Sequence, residues 1–270
     1  MKKRILALIP ARYQSSRFPG KPLAIINGKP MIQRVYEQTA KAFEDLCVAT
    51  DDQRIADAVA AFGGKAVMTA TTHNSGTERC LEALHKFEAE SGKKFDVVIN
   101  VQGDEPYIHP QQLLELAECF NDEKVEIATL VKRISSREEL FNYNTPKVIL
   151  NSSGYALYFS RTPIPFARGV EMDDNFIASG RYYKHIGLYG YRASTLAEIC
   201  ALPKGYLEGC EKLEQLRWLE NGKSIKVALT EYETHAVDTP EDMMLLNSLW
   251  KERSVGIKYV ANHIVSLNDN

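Results

Sequence analysis

Pro10-Ala11-Arg12-Tyr13-Gln14-Ser15-Ser16-Arg17-Phe18-Pro19-Gly20-Lys21-Pro22 follows directly on the apolar run Ile5–Ile9. A short run of that composition predicts a buried strand, so PARYQSSRFPGKP is the loop at the strand's C-terminal end. Open α/β sheets bind their ligands at that edge. Arg12, Arg17 and Lys21 supply cations, and Ser15 and Ser16 add hydroxyls. Gly20 lets backbone approach a bound group, while Pro10, Pro19 and Pro22 stiffen the path. Arginine forks onto phosphate oxygens and lysine adds a compact charge, so the composition suits a polyphosphate. The alternative for such a loop is a solvated basic turn.

Outward from this loop the chain alternates strand and helix. A helical pattern opens at Pro30 and runs to about Lys41, with Met31, Ile32, Val35 and Tyr36 on one face. Strands are predicted at Leu46–Thr50, Lys65–Met68 and Asp96–Val101, with a helix from Asp51-Asp52 to Ala61 between the first two. Ser75-Gly76-Thr77-Glu78 reads as a capping box for a helix to about Glu90. This rhythm predicts a mostly parallel sheet covered by helices on both faces. From about 126 to 192 the pattern changes to strands at Glu126–Lys132, Lys147–Leu150, Ala156–Ser160 and His185–Tyr191, with a short helix from Ser136. These are expected as antiparallel additions to the sheet. Helices at 193–200, 210–221 and 239–252 around a strand at Ile225–Leu229 complete the pattern.

Composition narrows the function classes. At 270 residues the chain has length for one large domain or two small ones, and a net charge of −2 gives no general nucleic-acid surface. The five cysteines are odd in number and form no C-x-x-C, which argues against a zinc site or a disulfide framework and suits a reducing cytoplasm. The apolar run before Pro10 is too short for a secretory signal, and no run approaches membrane-spanning length. Neither G-x-G-x-x-G nor a Walker loop is present.

Four groups of residues carry possible chemistry. Gln102-Gly103-Asp104-Glu105-Pro106 follows a strand, where a carboxylate could anchor a phosphate-bound cation or merely cap a turn. Asp238 lies one residue outside a competent helix start made by Thr239, Pro240 and Asp242, so capping does not account for it. Arg79 sits on the second turn of its helix, unexplained by the cap formed from Ser75 and Glu78. The fourth group is Arg161, His185, Tyr189, Glu211, Glu214 and Gln215. A helix over 210–221 would set Glu211 beside Glu214 and Gln215, with Leu213 and Leu216 toward the core. His185 and Tyr189 share one strand face, and a lone histidine there is often a satisfied core residue.

Seven blocks together, PAR-x-x-S-S-R-F-P-G-K-P, HNSGTER (73–79), NVQGDEP (100–106), YALYFSRTPIP (155–165), KHIGLYGYR (184–192), LEQLRWLENG (213–222) and VDTPED (237–242), resemble the 3-deoxy-D-manno-octulosonate cytidylyltransferase (CMP-Kdo synthetase) family. They stand in the family's order up to about Trp250. The resemblance implies a Rossmann-like nucleotidyltransferase fold over residues 1–253, leaving 254–270 as a tail without an assigned role. It implies an antiparallel part, 126–192, that binds sugar and meets a homodimer partner. It further implies CTP and Kdo as substrates, CMP-Kdo and pyrophosphate as products, and a cytoplasmic role in lipopolysaccharide synthesis. Mg²⁺ would be held by Asp104 and Asp238. Nucleotide contacts would come from Ala11, Arg12, Ser16, Lys21, Ser75, Arg79 and Gln102, with Arg79 at the cytosine edge. Sugar contacts would come from Gln102, Arg161, His185, Tyr189, Glu211, Glu214 and Gln215, Arg161 taking the carboxylate. Arg12, Arg17 and Lys21 would offset phosphate charge beside Asp104 and Asp238. The LEQLR and HIGLYGYR blocks favour Kdo over sialic acid and leave an amino analogue of Kdo open. Intact Lys21, Asp104 and Asp238 argue against a regulatory protein that has lost turnover.

Overall fold

The computed structural model describes residues 3–14, 18–233, 236–237, 239–244 and 246–247. The predicted first strand is β1 (Ile5–Ala11), which sends Leu6 and Leu8 to one core and Ala7 and Ile9 to the other. That split follows from the two-residue period of a strand covered on both faces. A small hairpin, β2 (Ile25–Ile26) and β3 (Lys29–Pro30), leads into α1 (Met31–Ala40). Then come β4 (Leu46–Thr50), α2 (Gln53–Ala61), β5 (Ala66–Met68), α3 (Gly76–Ser91), β6 (Val97–Asn100) and α4 (Pro110–Glu118). The second half holds β7 (Ile127–Arg133), α5 (Arg137–Phe141), β8 (Lys147–Leu150), β9 (Ala156–Ser160), α6 (Asp174–Ser179) and β10 (Tyr183–Arg192). It closes with α7 (Ala193–Cys200), α8 (Tyr206–Glu211), α9 (Gln215–Glu220) and β11 (Ile225–Leu229).

The central sheet runs β11-β7-β10-β6-β1-β4-β5. β1 pairs in parallel with β4 and β6, β4 with β5, and β7 with β11, while β10 is antiparallel to both β6 and β7. The expected change of pattern after residue 126 is therefore real but finer than anticipated. β7 runs with the parallel strands, and the antiparallel β10 is inserted into the middle of the sheet. β8 and β9 form an antiparallel hairpin joined to β10 at Lys147 and Lys184. Tyr189 is level with Asn100 at the C-terminal end of β6, so the first half of β10 projects past the edge where the binding loops lie.

One expected element is broken. Lys212 adopts a left-handed conformation, φ 55°, and divides the helix predicted over 210–221 into α8 and α9. Glu211 ends α8 and Glu214 caps α9, so the expected single polar face does not exist. The helix expected over 239–252 is helical at 240–244 and 246–247, and its remainder lies outside the described residues.

Candidate active site

The basic loop reaches the sheet edge through Gly20, whose φ of 72° starts a short 3-10 turn at Lys21. Its backbone N–H donates to the Tyr13 carbonyl at 2.9 Å. Lys21 Nζ donates to Asp104 Oδ2 and to the Val237 carbonyl, both at 2.8 Å. The Val237 N–H in turn donates to the Asp104 carbonyl at 2.9 Å. Three parts of the chain that are remote in sequence thus close on one ammonium group.

Asp104 stands there because Gly103 permits it. A Cβ on Gly103 would lie 2.8 Å from the Pro10 carbonyl oxygen, so only glycine lets this turn lie against the end of β1. Next to it, Glu105 is buried with one carboxylate oxygen unpartnered among the described residues. Burial, then the neighbouring Asp104 charge, pushes its carboxyl up to about 8. Asp104 itself is partly exposed. Its hard oxygen donors beside the basic loop suit a divalent cation such as Mg²⁺. No cluster of three or more possible metal ligands occurs among the described residues. Asp238, Arg17 and Ser16 lie outside the described residues.

Between these groups lies a cavity of about 310 Å³. Ala11, Arg12, Lys21, Ser75, Arg79, Gln102 and Asp104 all line it, so the structure brings together every described residue assigned to the nucleotide. Their environments differ. Ser75 caps α3 by accepting from the Glu78 N–H, but Glu78 Oε2 accepts from Asn74 N–H, so the expected capping box is half formed. Arg79 is buried and bonded to Thr69 Oγ1, the Ala70 carbonyl and, at 2.8 Å, Asp51 Oδ2. It braces the cavity wall through the ends of β4 and β5. Asp51 had been read only as a helix start. His73, another lining residue, is bonded to Glu82.

The residues assigned to the second substrate divide in two. Gln102 donates from Nε2 to the Gly187 carbonyl at 2.8 Å. That carbonyl is presented by a bulge in β10, where the pairing with β7 slips between Ile186 and Tyr189. Thr129 Oγ1 lies 2.7 Å from the Leu188 carbonyl and 2.9 Å from His185 Nε2. With the hydroxyl proton on the carbonyl, His185 donates to Thr129, which needs only neutral imidazole. Burial holds the His185 ring down to about 3. Tyr189 OH and Gln215 Nε2 are buried without a protein partner among the described residues. Glu214 is held by Thr77 Oγ1 at 2.7 Å and faces a cleft of about 550 Å³ that shares Asn74 and Ser75 with the first cavity.

Arg161 and Glu211 are committed elsewhere. Glu211 accepts from Ser160 Oγ at 2.6 Å and from the Arg161 backbone N–H at 3.0 Å. Arg161 donates through Nε to the Glu211 carbonyl and through Nη1 to the Tyr143 carbonyl. Neither lines the two cavities. Below them Lys147, fully buried, donates to the carbonyls of Asn142, Thr145 and Arg161.

The cytidylyltransferase family matches residues 6–225. Over 244 residues the chain is 55% identical to a 3-deoxy-manno-octulosonate cytidylyltransferase of Parabacteroides distasonis, covering 89% of this chain and 95% of that one. A Bacteroides thetaiotaomicron protein of the same name is 54% identical over 254 residues, covering 93% and 100%. Among solved structures, a CMP:2-keto-3-deoxy-manno-octonic acid synthetase complexed with CTP superposes with a TM-score of 0.83 at 42% identity, covering 93% of this chain and 99% of that one. A 4-diphosphocytidyl-2C-methyl-D-erythritol synthase from Anaerococcus prevotii shares the fold, with a TM-score of 0.58 at 14% identity, covering 92% of this chain and 96% of that one.

Proposed function

The chain belongs to the cytidylyltransferase family, and from that premise we propose that it couples CTP to Kdo, giving CMP-Kdo and pyrophosphate. The observation that carries this reading is the meeting of two half-sites at Gln102. On one side lies the cavity of Arg12, Lys21 and Asp104. On the other, the Gln102 amide holds the β10 bulge next to Tyr189, whose buried hydroxyl has no protein partner among the described residues. Unsatisfied buried polar groups cost free energy until a ligand satisfies them, so such a surface suits a polyhydroxylated substrate.

The anomeric oxygen of Kdo attacks the α-phosphorus, the bond to the bridging oxygen of the β-phosphate breaks, and pyrophosphate leaves with its electron pair. The hydroxyl proton is lost to solvent. Arg12 and Lys21 offset charge on the phosphates, and Gln102, Tyr189, Glu214 and Gln215 orient the sugar. Asp104, with Asp238, would hold Mg²⁺, which supplies positive charge at the α-phosphate. Neutral His185 fixes the bulge. The 126–192 part also supports a homodimer: of the eleven exposed large apolar side chains among the described residues, Phe141, Tyr143, Leu157, Phe166 and Val170 fall in one stretch, and sedimentation reads this directly. A cytoplasmic setting fits the free thiols of all five cysteines.

The test is pyrophosphate release from CTP with Kdo, amino-Kdo or sialic acid, with and without Mg²⁺. Kdo should give the highest kcat/KM, and turnover should vanish on chelation. Release that does not depend on any of these sugars rejects the reading.

A further inference from the structure

Glu214 is a half-buried ionisable group, and burial raises its carboxyl while the hydroxyls of Thr77 and Ser75 draw it down. Arg217 of α9, which lines the same cleft, adds a favourable charge. The closest bond of Glu214 crosses to another element, from Thr77 Oγ1 to Glu214 Oε2 at 2.7 Å, over 137 positions of sequence. Thr77 is 2% exposed and sits in the first turn of α3, two residues after the cap Ser75 that lines the nucleotide cavity. Its hydroxyl has a single proton. Directed at Glu214, that proton fixes the carboxylate at the edge of the cleft that Glu214 lines. The neighbour Gln215 keeps Nε2 unpartnered among the described residues. The Tyr191 hydroxyl packs against Thr77 from the sheet side.

We propose that Thr77 is a positioning residue for the second substrate, its hydroxyl holding the Glu214 carboxylate from the helix that also bounds the nucleotide cavity. The role rests on the sugar assignment made above. A threonine placed there only to fill space would be replaceable by valine, which has the same shape. A threonine that aims Glu214 is replaceable only by serine.

The experiment uses the full chain and compares Thr77→Val, Thr77→Ser and Glu214→Gln, with CTP and Kdo varied in turn and CTP binding measured without sugar. A hydrogen bond to a charged group carries enough energy that Thr77→Val should raise the KM for Kdo about tenfold or more. CTP affinity should stay within about twofold, and Thr77→Ser should lie near wild type, because the bond exists only where a hydroxyl is present. Thr77→Ala, which adds no volume, takes the place of the valine variant should that one not fold. An unchanged Kdo KM in the variants lacking the hydroxyl overturns the proposal, as does an equal rise in both KM values or a serine variant as impaired as valine. Glu214→Gln separates the two layers. If it leaves the Kdo KM untouched, the sugar assignment fails and the role of Thr77 falls with it. If it raises the Kdo KM while the hydroxyl-free variants do not, the positioning role alone fails.

Discussion

A buried neutral imidazole makes stability depend on acid. His185 is held down to about 3 by burial, whereas an unburied histidine titrates near 6.5. Below about pH 6.5 the unfolded chain takes up a proton that the folded chain refuses, so folding loses free energy as pH falls through the window from about 6.5 toward 3. Between pH 7 and pH 5 this amounts to about 1–2 kcal/mol, allowing for solvent that reaches the ring edge. His185→Gln keeps a donor toward Thr129 and cannot titrate. Urea unfolding at the two pH values should therefore show wild type losing about that much more than the variant. Equal losses would mean that His185 is protonated in the folded protein. Lys147, also a cation when protonated, reports the same physics. Its ammonium is enclosed and bonded to three carbonyls, and burial, then Arg161, draws it down to about 8 against the pull of Glu211.

Among elements, the turn after β6 is the most constrained, because it lies against the end of β1. Gly103→Ala would place Cβ 2.8 Å from the Pro10 carbonyl oxygen, backbone against backbone, with no flexible end to give way. The expected cost is about 1–3 kcal/mol of stability. The displaced Asp104 should lower kcat/KM for CTP. Gly209→Ala in α8 meets nothing within 4 Å and should stabilise slightly with turnover unchanged. Denaturant titration and kinetics on both variants check this, and a harmless Gly103→Ala would remove the steric account. Elements of this kind were legible in the sequence to differing degrees. The strands and the loops at their ends follow from apolar runs broken by proline, glycine and polar residues, so the residues that line the first cavity could be grouped from sequence. The break at Lys212 could not, because a lysine in left-handed conformation carries no local signal and Leu213 and Leu216, just after it, still keep a helical spacing. Nor could the β10 bulge, Thr77 or the Asp51–Arg79 pair, whose meaning comes from partners far along the chain. The commitment of Glu211 to Ser160 and Arg161 is of the same kind: the residue was identified, but its direction was set by tertiary contacts.

At the scale of the whole molecule, the site is closed by the two ends of the described chain. Ile26 and Met31, beside the first loop, form a small buried cluster with Val237 and Leu246, separate from the two main cores. The backbone at Asn27 accepts a further tie, its N–H donating to Asn247 Oδ1 at 3.0 Å. This cluster holds the segment that brings Val237 to Lys21 and Asp104. A satellite cluster of this size opens at lower free energy than the sheet, so loss of the site can precede loss of the fold. Leu246→Ala removes a 5% exposed side chain from the cluster and should weaken it by about 2–3 kcal/mol, near the low end for buried leucine. If the segment docks as a separate unit, the temperature at which activity is lost should fall by several degrees while the circular-dichroism melting temperature of the sheet moves little. If the segment is one cooperative unit with the rest, both temperatures should fall together. Parallel activity and melting curves on the same variant distinguish the two. A coincident shift would mean that the chain ends are part of the global fold, with no local opening at Lys21 and Asp104.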